Sequence, residues 1–331
     1  MIQEKQKQNQ KQNQKQSEPR SLAARRMTAV PDEQAASKLF QSLPQELRDQ
    51  IYSHLFSSTG PSSCGRTYSL WERAVARRSR IRIKPATTHA LAVLQTCRRA
   101  SAEIGDTWIG QILLHFEGPR EMLDRLTPLP HSTLSKIRYL CVVADNWRED
   151  VHNTYHELSA ALKLLPGLRL DALTVLGTRF APVSYETLTG LIRESYGWKE
   201  LHYLSHSSEP LGFERLEHIN DSEKYRVWRK PQPGYWQSIL EERDGAQTKP
   251  SVTIYRSTVP KCPGSVMKPK TRTQFEQKIS CSKALEAFGT TRDGQLLAAG
   301  ERSKEFLVIV KRGCGVDYEG KEGPPHTIFE K

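Results

Sequence analysis

Ile137-Arg-Tyr-Leu-Cys-Val-Val143, Leu170-Asp-Ala-Leu-Thr-Val-Leu176 and Glu200-Leu-His-Tyr-Leu204 are three short runs dominated by leucine, valine and aromatic residues. Such runs are too short for helices and rich in side chains that suit a pleated surface. Between them, 155–165 and 185–195 carry apolar residues at helical spacing. Strands alternating with helices at this interval predict parallel pairing with right-handed crossovers. The expected fold class is therefore α/β or α+β. A helical module comes first and a βα-repeat domain follows, either a short solenoid-like stack or a layered sheet.

Working outward, Ile112–Phe116 predicts a strand and Pro119–Leu126 a helix that starts on proline, where the missing N–H costs nothing. A longer helix is expected over 88–108, with Leu91, Leu94, Cys97 and Ile104 along one side. Further upstream, Leu43, Pro44, Leu47, Ile51 and Leu55 mark a helix whose leucine and isoleucine positions recur every four residues, one apolar stripe. Glu46 lies near its start, at the positive end of the helix dipole. Burying four such side chains contributes roughly 6–12 kcal/mol, so this helix must dock against something. Downstream, 235–242 reads as a helix, 251–256 as a strand, 260–269 as a Pro/Lys loop and Phe306–Lys311 as a late strand.

These elements divide the chain into a Gln/Lys-rich tail (1–38), a helical module with a basic insertion (39–118), an α/β domain (119–258) and a basic Pro/Lys-rich extension (259–331). The tail is expected to be disordered. Its first 18 residues hold seven glutamines, two asparagines and four lysines, too little apolar surface to offset ordering entropy. The net charge of +12 is spread as +4, +4, −2 and +6 over 1–38, 39–118, 119–220 and 221–331. A dedicated nucleic-acid binder concentrates its charge on one stripe of the folded domain. The pattern here predicts weak polyanion attraction at most. No apolar run reaches membrane-spanning length, and the opening lacks a signal-peptide core. Six scattered cysteines without a C-x-x-C pair fit reduced thiols, hence cytoplasm and/or nucleus.

Leu43-Pro44-x-Glu46-Leu47-x-x-x-Ile51-Tyr52-x-x-Leu55 resembles the opening helix of an F-box, and Thr96-Cys97-Arg98-Arg99 is similar to the segment borne by the helix that follows it. Gly197-Trp198-Lys199-Glu200-Leu201, Arg229-Lys230-Pro231-Gln232-Pro233, Arg243-Asp244-Gly245 and Val252-Thr-Ile254-Tyr255-Arg256 are similar to stretches of the same group, the fungal F-box-like protein family. The resemblance runs from about residue 39 to about 258. It implies a non-enzymatic receptor. Leu43, Pro44, Leu47, Ile51 and Leu55 would meet a Skp-type adaptor of a cullin-based ubiquitin ligase, and the later domain would hold an unknown protein client. The spacing between Leu43 and Cys97 makes 57–87 an insertion. The alternative is a structural interaction module, with the 43–56 helix packed inward on the 88–108 helix.

Other chemistry is sparse. His152 and His156 have one-turn helical spacing but lack the glutamate of a zinc-peptidase motif, and His202 and His206 straddle a strand end. Gly313-Cys-Gly315 is a fragment of a glycine-rich loop, without a phosphate-binding signature. No nucleophile elbow or triad spacing occurs. No enzyme activity, cofactor or metal is therefore expected. Arg77, Arg78, Arg80, Arg82 and Lys84 form a basic patch, read either as an import or polyanion signal or as an edge strand with charges outward. Tyr225, Trp228, Tyr235 and Trp236, mixed with arginines, suit either base stacking or a core edge. A basic nucleic-acid-associated protein is thus a further alternative.

Overall fold

A computed structural model describes residues 37–57, 93–94, 98–144, 158–177, 181–212, 214–220, 223–228, 231–277, 296 and 299–319. The parallel pairing expected for the three central runs is present. β1 (Leu113–Phe116), β2 (Tyr139–Val143), β3 (Leu170–Leu176) and β4 (Trp198–Ser205) lie side by side in chain order, all parallel. Three further strands extend this sheet: β7 (Ser251–Ser257), β8 (Arg272–Gln274) and β9 (Phe306–Lys311). The full order is β1-β2-β3-β4-β9-β7-β8, with β9 antiparallel to both of its neighbours. The result is a layered mixed α/β sheet of seven strands. A separate hairpin, β5 (Glu214–Asn220) with β6 (Glu223–Trp228), follows β4.

The helices α4 (Pro119–Leu126), α6 (Leu158–Lys163), α7 (Ala181–Glu194) and α9 (Gly234–Asp244) share one hydrophobic core with one face of the sheet, and the single-turn helices α5 (His131–Leu134) and α8 (Glu209–Gly212) lie between them in the chain. Side chains alternate along a strand, so β2 gives Leu140 and Val142 to this face, β3 gives Leu173 and Val175, and β9 gives Phe306, Val308 and Val310. The other face holds a smaller cluster: Cys141, Val143, Leu176, Leu204 and Leu307, covered by Val266 and Met267 of a 3₁₀ turn. Complete burial pushes the Cys141 thiol up to about 12. Burial on both faces explains why β3 reads as an almost continuous apolar run.

Before the sheet come α1 (Lys38–Ser42), α2 (Gln45–Ser57) and α3 (Arg98–Ile104), which share a third cluster with Ile112. The expected boundary at 118 falls after β1, and that at 258 between β7 and β8, so both lie within one sheet. The 1–36 tail, the Arg77–Lys84 patch, Thr96, Cys97, His152 and His156 lie outside the described residues. Among the described residues, no helix is long and apolar enough to cross a membrane.

Candidate functional site on helix α2

Pro44 precedes α2 and its carbonyl accepts the first helical hydrogen bond, from the Arg48 N–H at 3.2 Å. Glu46 lies in the first turn as expected. What differs is the face the helix buries. Arg48, Tyr52 and Phe56, one turn apart, are enclosed, and Tyr52 and Phe56 pack with Phe40, Ala100 and Ile104. The leucine/isoleucine stripe is rotated off that contact by one residue. Leu47 and Ile51 are each 44% exposed, Pro44 is exposed, and Leu43 and Leu55 are half-buried at the margin. Leu55 also touches the cluster around Phe56. Of the five residues named from sequence, Leu47, Ile51 and Leu55 thus lie along one side of α2, Leu43 and Pro44 stand in the link just before it, and Leu47 and Ile51 face solvent.

An ionic clasp sets this rotation. Arg48 Nε donates to Glu103 Oε2 at 3.0 Å and Arg48 Nη2 to Glu103 Oε1 at 2.9 Å, a bidentate pair joining α2 to α3. Arg48 also donates to the Leu43 carbonyl and to Gln45 Oε1. The same carboxylate accepts from Arg99 Nε at 3.2 Å and from the Tyr52 hydroxyl at 3.3 Å. The guanidinium groups of Arg48 and Arg99 lie 5.6 and 4.7 Å from the Phe40 ring centroid. Sequence periodicity missed this face, because an arginine in a helix reads as solvated. The signal that reveals it is Glu103, 55 residues later.

Partial burial raises the Glu103 carboxyl, but hydrogen bonds from Arg48 and Arg99 outweigh it and hold the group below the ordinary carboxylate range. A lowered native pKa contributes stability above the ordinary value and loses it as pH falls through the native one. Amide exchange in α2 is therefore expected to accelerate, relative to β3, as pH drops below the carboxylate range. Glu103→Gln should exchange faster at neutral pH and lose that acid-dependent step. If α2 keeps equal protection across this range in the wild type, the clasp is not what seats it.

The remaining candidates are placed more simply. His202 lies in β4, where its Nε2 is 2.8 Å from Glu200 Oε1, and His206 follows the strand end. Among the described residues no group of three histidine, cysteine or acidic side chains is arranged to hold a metal. Trp236 is fully buried and Tyr235 packs against the same core, the core-edge reading for those two aromatics.

No protein-family model matches this chain, and no curated protein matches it. The candidate site rests on its own geometry.

Proposed function

We propose that the chain is a fungal F-box-like receptor: α2 docks on a Skp-type adaptor of a cullin-based ubiquitin ligase, and the sheet domain presents a protein client. The observation that supports this reading is the exposure of Leu47 and Ile51 on a helix anchored through its other side. An amphipathic helix with anchors at i and i+4 suits a hydrophobic groove on a partner. In this reading the transfer chemistry belongs to the ligase, this chain needs no catalytic residue or cofactor, and it works in the cytoplasm and/or nucleus.

Burying Leu47 and Ile51 in a groove is worth roughly 1.5–3 kcal/mol each. Co-expression of the full chain with a Skp-type subunit should recover a complex. Leu47→Asp should weaken it by about 10- to 150-fold while leaving the circular-dichroism spectrum and thermal midpoint unchanged. Failure of the wild type to retain the adaptor, or full retention by Leu47→Asp, counts against the proposal.

A further inference from the structure

Helix α2 carries more apolar surface than its one contact covers. Successive helical residues advance about 100°. With Leu47 at zero, Ile51 lies at about 40°, Leu55 at about 80°, Tyr52 at about 140° and Phe56 at about 180°. Together they make one continuous apolar arc. The contact with Phe40, Ala100 and Ile104 encloses only the Tyr52–Phe56 half of it, Leu55 is half-buried at the middle, and Leu47 and Ile51 stay outside. Burial of apolar surface is non-directional. A leucine and an isoleucine at one end of the arc compete with a tyrosine and a phenylalanine at the other, so burial alone does not decide which half turns inward.

A directional contact decides it. Arg48 lies at about 100°, on the enclosed half, and its side chain is 7% exposed against 14% for that of Glu103. The guanidinium gives one N–H to each Glu103 oxygen and another to the Leu43 carbonyl at the helix entry. A planar fork on a planar carboxylate fixes orientation as well as distance. One turn further on, the Tyr52 hydroxyl donates to the same carboxylate, which Arg99 Nε holds from its own helix, α3. Glu103 therefore grips α2 at two points on one side, and a roll that turned Leu47 and Ile51 inward would break both.

We infer that Glu103 is a positioning residue for docking through α2: it fixes the roll of the helix and keeps Leu47 and Ile51 turned outward, without meeting the partner itself. This role presumes that α2 docks on a partner, but the roll can be read without one. The reporter is the full chain with Ile51→Cys, labelled by a maleimide and quantified by peptide mass spectrometry. Adding Glu103→Gln, which keeps the size of the side chain and removes its charge, should slow labelling at position 51 about tenfold, because only about a tenth of the molecules then present that side. A helix that merely loosened would label as fast or faster, so slowing separates positioning from a structural role. With Ile51 restored, Glu103→Gln should weaken binding of a Skp-type subunit about tenfold, the same fraction lowering the apparent affinity. Asp106→Asn, which removes the carboxylate paired with Lys136 just after α3, is the control and should change neither readout. A wild type that binds no adaptor fails the docking reading alone, and the labelling rate then judges the roll by itself. Unchanged or faster labelling in Glu103→Gln overturns the inference, and so does undiminished affinity when the wild type binds.

Discussion

Replacing Asp244 with alanine is expected to cost about 3–5 kcal/mol of folding stability, the usual consequence of leaving a buried cation without its partner. Asp244 ends α9 and Arg312 follows β9, with side chains 0% and 2% exposed. Arg312 Nε donates to both carboxylate oxygens, at 2.9 and 2.7 Å, and the Gly313 N–H donates to one of them at 3.0 Å. A Cβ on Gly313 would lie 1.8 Å from Thr248 Oγ1, so only glycine lets the backbone approach this closely. Arg243 sits beside the pair and donates to the carbonyls of Ile192 at 2.7 Å and of Ser195, near the end of α7. Both guanidinium groups lie within 6 Å of the Trp198 ring centroid, at 5.8 and 5.5 Å. Burial, reinforced by Arg312, already lowers Arg243 to about 10, and Asp244 opposes that shift. Without Asp244 two cations share one apolar site. Equilibrium denaturation in urea measures the loss; a change below about 1 kcal/mol, ordinary for a point substitution, contradicts this account.

Trp236→Ala should be comparably severe, about 3–5 kcal/mol, through lost transfer energy and the cavity left behind. The indole is fully buried on α9, its Nε1 donates to Thr189 Oγ1 of α7 at 3.1 Å, and its ring centroid is 5.5 Å from that of Tyr185. It ties α7 to α9 alongside the Arg243 hydrogen bonds to the Ile192 and Ser195 carbonyls, so the amides of these two helices should lose exchange protection before those of α2. Leu47→Ala, by contrast, should change stability by less than about 0.5 kcal/mol, as a surface substitution does. Equal losses in the two variants would mean that Leu47 is enclosed after all.

Local pattern carried the reading where structure is local. The bounds of β3, α4 and β9 agree with the apolar run at 170–176, the proline start at 119 and the Phe306-Leu-Val-Ile-Val310 run. What the pattern lacks is the identity of distant partners. Nothing in Phe306–Lys311 says that this strand sits between β4 and β7, because that place is fixed by contacts over a hundred residues from β4. The β5–β6 hairpin escaped because its alternation is weak, although Asn220-Asp221-Ser222 is a turn signal. The stripe on α2 was legible, but its outward direction was not, since Arg48 finds Glu103 only in three dimensions.

The position of β9 also governs when the sheet can close. A ribosome delivers β1 to β4 and then β7, yet no edge of β4 meets β7 until residues 306–311 arrive to bridge them. Closure over such sequence separation is slow compared with local pairing. A nascent chain stalled short of β9 would display two unpaired strand edges, the kind of surface that chaperones shield and aggregates recruit.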